Sequence, residues 1–419
     1  METPEDETVV LKGQAAVNLW LDGEDAWNEW AAKNPNAEVD FSCVDFSNYG
    51  PVSFKFFNFP EGKNSISFSG AEFGDGNISF FSANFSDGEV DFSYAQFGDG
   101  NVSFFGANFG DGDIDFTHAI FGDGNVDFYA INFGDSNIDF SHAKCGTGHF
   151  TIAECKFGDG EDKSEQKDAA EAEQKQKDAA EADQKGAITF EHVDFGGRFR
   201  LQNCEKTGNI QSLSFNGCVF KAGVTLAAEL TSIPDLRGTI VTAHIDLDEL
   251  QVNSKSRAVE DAPKYRRLKE LAERNRHHEA ALRFFADERR CMRWAKGNTP
   301  WQTAWSYLAS VLDVIYAGAC DYGRSIAWPV GWLGGLISGS IAVLVNCFKI
   351  PLWPDALPMV LASSIPFLPA GRASATEHQR AGDVGNLLPY FELWFLGHQF
   401  FSFILLFLIG IGLRNRFRL

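Results

Sequence analysis

The most regular set of residues that could do chemistry is a group of aspartates in the first half of the chain. They form two series with a spacing of 24 residues, namely Asp75, Asp99, Asp123 and Asp87, Asp111, Asp135. Carboxylates held in register could bind cations weakly, or they could present an acidic surface to a basic partner. Asp-Gly is also a common choice for the backbone geometry of solvated turns. These three interpretations stay open, although the spacing matches neither a nine-residue calcium repeat nor an EF-hand.

A second regular set contains imidazoles. His118 and His142 are 24 residues apart, in line with Tyr94 at the same interval. Two imidazoles could share a metal ion, but the sequence offers no evident third ligand. This favours an exposed aromatic ladder over a metal site.

Motifs for catalysis are missing from the chain. It contains no P-loop, GxSxG, HExxH or paired-cysteine zinc motif. The Gly-Asp-Gly segments resemble phosphate cradles only superficially, because no helix is predicted after them. We therefore expect a non-enzymatic protein with no catalytic residues, no cofactor and no bound metal.

The aspartates belong to a 12-residue repeat that is built on phenylalanine. The first series of phenylalanines runs from Phe68 to Phe140 and the second, five residues later, from Phe73 to Phe133. Ile or Val precedes the first series by two residues, and Ala mostly precedes the second. Inward residues two apart have the strand period, so each pair predicts one short strand. Four strands in 24 residues would close a square coil, with neighbouring coils ~4.8 Å apart.

The coil predicts which side chains stack. Residues 24 apart should form columns, such as Phe73/Phe97/Phe121/Cys145 and Phe85/Phe109/Phe133/Phe157. In the same register, Phe150 and Ile152 should lie on Val126 and Phe128. Gly-Asp-Gly should form the wide corners of the coil, because glycine tolerates positive φ.

These motifs resemble those of pentapeptide-repeat proteins, which place Ala two residues before a central Leu or Phe. Ala83-Asn84-Phe85 and Ala107-Asn108-Phe109 match this pattern, and GEDAWNEWAAKNP resembles the lead-in of bacterial members. The chain departs from the plain five-residue period by inserting two residues at alternate corners. The resemblance covers residues 13–250 and implies a mainly β fold, a right-handed quadrilateral β-helix with ~24 residues per coil.

The remaining segments are assigned from their composition. An α-helical hairpin and a C-terminal two-span transmembrane region are expected to follow the β-helix. The predicted domains are a tail and capping helix at 1–35, the β-helix at 36–250 with a charged helical or disordered insert at 161–185, the hairpin at 257–297 and the membrane region at 299–419. The spans are predicted at about 326–348 and 391–413. Five prolines break the apolar segment 351–370, which is typical of a re-entrant or interfacial segment.

Charge and cysteine usage indicate the compartment. The net charge of −21 is uneven: residues 38–159 contain 19 acidic residues and 4 lysines, whereas 255–324 contain 14 basic and 9 acidic residues. Basic residues before the first span and after the second predict cytoplasmic termini by the positive-inside rule. The eight cysteines form no CxxC pair, and we expect Cys145, Cys155 and Cys218 to be free core residues in a reducing compartment. The C-terminal region also resembles the tail of membrane-bound bacterial pentapeptide-repeat proteins, which implies a multi-pass protein of the bacterial inner membrane.

Three functional hypotheses follow. The first is a membrane-anchored scaffold whose acidic cytoplasmic β-helix binds an unknown protein. The second is an oligomeric channel or signalling effector built from the two spans, with Gly331, Gly334, Gly335 and Gly339 allowing close helix packing; against it, 351–392 shows no filter signature or charged ring. The third, implied by the resemblance, is a DNA mimic that binds topoisomerase. The expected partners are the lipid bilayer, a protein and a second copy of the chain, but not nucleic acid.

Overall fold

The computed structural model describes residues 9–62, 64–158, 186–254, 258–294, 299–365 and 388–416. The insert expected at 161–185 lies outside these ranges. The chain forms two compact units, one of Met1–Ser256 and Pro263–His277 and the other of Arg257–Ala262 and His278–Leu419. We call them the solenoid unit and the helical unit.

The solenoid unit is a β-solenoid of about nine turns with about 24 residues per coil, as expected. Each coil has four faces, A to D in chain order, and all strand pairs along a face are parallel. Tight corners join faces A and B and faces C and D. Wide corners, which carry the Gly-Asp-Gly segments, join B to C and D to A.

The strands are short, because each face is only as long as one pair of inward residues. Face A consists of Val10–Lys12, Glu38–Asp40, Ile66–Ser67, Val90–Asp91, Ile114–Asp115, Ile138–Asp139, Ala187–Thr189 and Ser212–Ser214. Face B consists of Gln96–Gly98, Ile120–Phe121, Lys144–Cys145, Asp194–Phe195, Val219–Phe220 and Ile240–Val241. Face C consists of Val52–Ser53, Ile78–Ser79, Val102–Ser103, Val126–Tyr129, Phe150–Ala153, Phe199–Gln202, Val224–Leu226 and Ile245–Asp246. Face D has the strands Glu229–Leu230 and Gln251–Val252, and single bridges link Asn58, Asn84, Asn108, Asn132, Lys156 and Glu205.

Stacked phenylalanine rings fill the interior in the predicted columns. Phe97 stacks on Phe73 at 5.0 Å and on Phe121 at 4.6 Å between ring centroids. Val126 pairs with Phe150 in the register that the sequence predicts. Burying one such side chain contributes about 1.5–3 kcal/mol. The columns therefore stabilise the solenoid from coil to coil.

The wide corners require glycine because successive coils approach closely there. A Cβ on Gly100 would lie 2.0 Å from the carbonyl oxygen of Gly76, and one on Gly124 would lie 2.0 Å from that of Gly100. Such a distance is far below van der Waals contact. Glycine is therefore required at these positions, because no side-chain atom would fit between successive coils.

The N-terminal end of the solenoid is covered by two helices, α1 (Gln14–Leu21) and α2 (Glu24–Lys33). Trp20 packs on Phe46 at 5.3 Å, and Trp27 stacks on Phe41 at 5.8 Å. Their indole N–H groups donate to the carbonyls of Ser53 (2.9 Å) and Asn58 (3.1 Å). The cap thus covers the open end of the core and satisfies backbone groups of the first coil, which would otherwise form an exposed edge.

At the other end, helix α3 (Ala262–Arg274) covers the last coils. Its own side chains Tyr265, Leu268 and Leu271 are buried. The Arg267 guanidinium donates to the carbonyls of Leu236 and Thr239. Most of this helix lies in the solenoid unit, whereas the next helix, His278–Met292, lies in the helical unit. The hairpin expected at 257–297 stays a prediction.

The helical unit contains the remaining long helices. They are α4 (His278–Met292), α5 (Pro300–Cys320), α6 (Ala327–Asn346), α7 (Leu357–Ser364) and α8 (Leu388–Arg416). Short 3₁₀ or π turns occur at Ser47–Tyr49 and Thr207–Asn209 in the solenoid unit, and at Val259–Asp261, Asp321–Gly323 and Leu352–Ala356 in the helical unit.

Two of these helices are long and apolar enough to cross a membrane. They are Ala327–Asn346, with a mean hydropathy of 1.6, and Tyr390–Arg416, with 1.9. Only 17% and 22% of their apolar windows are buried within the chain. Their exposed side chains are therefore mostly hydrophobic, as expected for helices that face lipid or another apolar surface. Helix α7 packs between them through Met359 and Val360, beside Leu344 and Phe391.

All eight cysteines are free thiols. Cys155 and Cys218 are buried in the solenoid core, and Cys145 is half-buried. Burial raises the pKa of the Cys218 thiol to about 12, so this residue stays protonated and behaves as a small apolar side chain.

Candidate functional site

One tight corner carries a column of exposed rings, which we call the ring column: Tyr94, His118, His142 and His192. The rings stack with centroid distances of 4.7, 5.0 and 5.5 Å along the column. All four side chains are exposed, Tyr94 by 59%. The predicted ladder of Tyr94, His118 and His142 is thus present, and His192 extends it.

The backbone of the ring column is unfavourable for these residues. Their φ angles are all positive, between 56° and 61°. In the same column, Gly70 and Gly217 adopt the same conformation at lower cost. The chain therefore places exposed rings at positions where glycine would adopt the same backbone conformation at lower cost.

Half-buried carboxylates lie beside the ring column on face A. Asp91, Asp115 and Asp139 each accept a hydrogen bond from the backbone N–H two residues later, at 2.7, 2.6 and 2.7 Å. These bonds fix the tight corner, and they hold a line of negative charge next to the rings. The sequence pattern alone did not single out this line.

The six aspartates predicted from the 24-residue spacing lie on the two wide corners, and we call them the acidic ladder. Members of each series lie on successive coils, as expected. The N–H of Asp99 donates to Asp75 Oδ1 at 3.3 Å, and the N–H of Asp123 donates to Asp99 Oδ1 at 3.1 Å. On the other wide corner, both corresponding bonds, from the N–H of Asp111 to Asp87 and from that of Asp135 to Asp111, are 3.2 Å long. Asp75, Asp99, Asp87 and Asp111 thus each accept an N–H from the next coil, which links successive corners.

Asparagines continue this pattern one step further round the corner. The N–H of Asn101 donates to Asn77 Oδ1 at 3.0 Å, and the N–H of Asn125 donates to Asn101 Oδ1 at 2.9 Å. A neutral amide performs the same task here as the carboxylate does in the acidic ladder. The corner therefore needs an oxygen acceptor, and the negative charge of the aspartates is an additional property of the surface.

Cation binding by the acidic ladder finds no geometric support. Within the residues that the structure describes, the ladder aspartates do not bring three ligating atoms within 4.8 Å of one another. Their positions at successive coils spread the carboxylates along the corner instead.

A second aromatic line, exposed at Phe105 and half-buried at its two neighbours, lies at the other tight corner. Phe105 stacks between Phe81 and Tyr129 at centroid distances of 5.3 and 5.2 Å. These three rings are not among the residues predicted from the sequence, although their 24-residue spacing was a usable signal.

The helical unit buries a polar cluster between its candidate spans. The His398 side chain of α8 is 3% exposed. Its Nδ1 lies 2.8 Å from the Ser340 hydroxyl of α6, and its Nε2 lies 3.0 Å from the Ser364 hydroxyl of α7 and 3.5 Å from that of Ser402. Hydrogen bonds between apolar helices fix which faces meet. His398 is the one ionisable residue in the apolar segment 393–413, but no sequence pattern relates it to its serine partners.

A buried carboxylate joins helices α4 and α5. Asp313, whose side chain is 4% exposed, accepts hydrogen bonds from Arg289 Nε (3.1 Å) and Arg293 Nε (2.7 Å). The Tyr322 hydroxyl donates to it at 2.7 Å. Burial would raise the pKa of Asp313, but these three hydrogen bonds together hold it below its ordinary value. Burial and the bond to Asp313 raise the pKa of Tyr322 to about 12.

Comparison with models of known protein families, with curated proteins and with solved structures finds no match for this chain.

Proposed function

We propose that this protein is a non-enzymatic, membrane-anchored scaffold whose acidic solenoid binds a protein partner. The observation that supports it best is the ring column. Rings on four successive coils stand exposed in a backbone conformation that costs stability. Such a cost at exposed positions is typical of residues that are retained for binding.

The chemistry of the ring column favours a partner with exposed arginines. Arginine guanidinium groups stack on aromatic rings and pair with carboxylates. The line of Asp91, Asp115 and Asp139 lies beside the rings, and the acidic ladder covers the wide corners. The excess of acidic residues in 38–159 would also accelerate encounter with a basic protein.

The pentapeptide-repeat family is the family that we propose for the solenoid. The Ala-Asn-Phe repeats on face D support it, since Ala83 and Ala107 are buried two residues before buried phenylalanines. For location we propose the bacterial inner membrane, with the solenoid and both termini in the cytoplasm. Arg324, just before the first candidate span, and Arg414 and Arg416, at the end of the second, support this orientation.

Site-specific crosslinking tests the scaffold proposal. A photoreactive amino acid replaces His118 in the full-length protein, which is expressed in bacterial membranes. The matched control carries it at Ala130, on the other tight corner, with a φ of 56° against 59° at His118. We expect a defined protein adduct from position 118 that decreases with added salt. The partner, identified by mass spectrometry and purified, should then bind the wild type better than a His118→Ala/His142→Ala variant. Adducts that are equal at both positions, or partner binding that ignores the double substitution, would refute the proposal.

A second candidate function is an oligomeric channel or effector. Gly331, Gly335 and Gly339 recur every four residues on one side of α6. A Cβ added to any of them would have no neighbour within 4 Å among the described residues. A second copy could pack closely on this face. Reconstituted protein that is oligomeric and conducts ions would support this function, and a monomer that leaves liposomes impermeable would exclude it.

A further inference from the structure

Three ligand groups converge at the C-terminal end of the solenoid unit, away from the ring column. Asp246, Asp248 and His277 each place a ligating atom within 4.8 Å of the other two. In addition, the Nδ1 atom of His277 and a carboxylate oxygen of Asp248 are in direct contact. A second imidazole, that of His244, lies with its ring centroid 5.5 Å from that of His277.

The two aspartates are held by the last complete tight corner. Asp246 ends the face C strand Ile245–Asp246, which pairs with Val224–Leu226. Its Oδ1 accepts the N–H of Asp248 at 3.1 Å. This is the same bond that orders the tight corners of face A, so both carboxylates are positioned by the coil itself.

The histidine is held by the end of helix α3. Arg276 has a φ of 63°, the N–H of His277 donates to the Ala272 carbonyl at 2.9 Å, and the N–H of Arg276 donates to that of Glu273 at 3.1 Å. This pair of bonds is a Schellman motif, which fixes the residue that follows the left-handed position. Asn275 Oδ1 also accepts the N–H of Ile245 at 3.2 Å, so the helix end is docked on the strand that carries Asp246.

We propose that Asp246, Asp248 and His277 form a Zn²⁺ site. Zn²⁺ binds imidazole nitrogen and carboxylate oxygen at about 2.0–2.2 Å, so ligand atoms of one site lie a few ångströms apart, as they do here. Ca²⁺ and Mg²⁺ prefer oxygen ligands alone, which the histidine does not provide. The metal would take the place of the proton between His277 and Asp248. His244 or water would complete its coordination shell.

The position of the site gives it a structural effect. Two ligands come from the last coil and one from the helix that covers it. A bound metal would therefore link helix α3 to the last coil, and it would stabilise the folded state by mass action.

Zinc binding by the purified full-length protein in detergent tests the proposal. The protein is stripped with a chelator, titrated with ZnCl₂ and compared with His277→Gln and Asp248→Asn. Asp127→Asn is the matched control, since Asp127 belongs to the same column of face C as Asp246. Circular dichroism establishes that each variant is folded, and thermal unfolding is measured with and without Zn²⁺.

We expect the wild type and Asp127→Asn to bind one equivalent of Zn²⁺ more than either site variant, and only these two to gain thermal stability from the metal. Excess MgCl₂ should not displace it. Equal zinc content in the wild type and a folded His277→Gln variant would overturn the proposal. Zinc that is lost in His142→Gln but retained in His277→Gln would overturn it as well, because it would place the metal on the ring column.

Discussion

His192 stacks on His142 at 5.5 Å between ring centroids, although the two residues are 50 positions apart in the sequence. Within the uninterrupted repeat the corresponding interval is 24 residues. Face A explains the contact, because Ile138 pairs with Ile188 in the ordinary parallel register. The coil therefore resumes in register after the insertion, and the ring column continues through it.

Glycine at the wide corners should be far less replaceable than glycine at the tight corners. Gly100→Ala would place a methyl group 2.0 Å from the Gly76 carbonyl oxygen. We expect a loss of about 3 kcal/mol, in the upper range for overpacking. Gly106→Ala is the control, because the nearest atom lies at 3.3 Å and Ala130 holds the same column position one coil later. It should cost about 1 kcal/mol. Denaturant unfolding of the two variants measures the difference, and equal losses would contradict it.

Charge and hydrogen bonding at the acidic ladder should be separable. Asp111→Asn keeps an oxygen acceptor for the N–H of Asp135, whereas Asp111→Ala removes it. We expect Asp111→Ala to lose about 1 kcal/mol of stability and Asp111→Asn to lose almost none. Thermal unfolding is the measurement.

The same logic applied to all six ladder aspartates tests their role in binding. The sixfold Asp→Asn variant should remain folded, since its side-chain amide oxygens still accept the backbone N–H groups. It should lose affinity for the partner captured at the ring column, because the negative charge is gone. Unchanged affinity, measured by calorimetry, would limit the ladder to its structural role.

Asp313 should make the helical unit sensitive to acid. Because its folded-state pKa lies below the ordinary value of 3.8, its contribution is fully present above that value and is lost as the pH falls through the lower, folded-state pKa. Asp313→Asn should cost roughly 1.5–3 kcal/mol at neutral pH, the range for hydrogen bonds to charged groups, since the partly exposed Arg289 and Arg293 lose their buried counter-charge. The substitution should also weaken the pH dependence of the unfolding free energy below pH 3.8, the ordinary pKa of an aspartate.

Thermal unfolding in detergent between pH 7 and pH 3 measures both effects. Arg324→Gln is the control in the same unit, because the pair of Arg324 with Asp321 is partly exposed and should contribute about 1 kcal/mol or less. An Asp313→Asn variant as stable as this control would argue against a buried charge network.

The His398 cluster should hold the candidate spans in one arrangement. His398→Ala removes the partner of the Ser340 and Ser364 hydroxyls and should cost roughly 1–2 kcal/mol, the range for hydrogen bonds between membrane helices. Leu396→Ala, two residues away, should cost less, since its side chain is 62% exposed among the described residues. Unfolding in lipid bicelles measures both, and a larger loss for Leu396→Ala would show that an apolar contact governs this helix instead.

Much of the solenoid could be predicted from the sequence, because each inward residue repeats its surroundings at a fixed interval. Phe73, Phe97 and Phe121 form the expected column, and Val126 pairs with Phe150. The same spacing placed the acidic ladder on the wide corners. The hydrogen bonds of that ladder were not foreseen, because composition alone does not show which way a carboxylate turns.

The sequence by itself determined the period of the coil, the identity of its core residues and the presence of two apolar helices, since these depend on neighbours at regular and short intervals. Tertiary structure alone decided that His192 joins His142, that His277 meets Asp246, and that Ser340 and Ser364 enclose His398. In each case a segment without the repeat pattern in its sequence separates the partners, so no period relates their numbers. Contact there is set by how the folded elements dock, and for His192 it is set by the point at which the coil resumes. The acidic ladder could thus be predicted from the sequence, whereas the full ring column, the proposed metal site and the His398 cluster are assembled only in the folded chain.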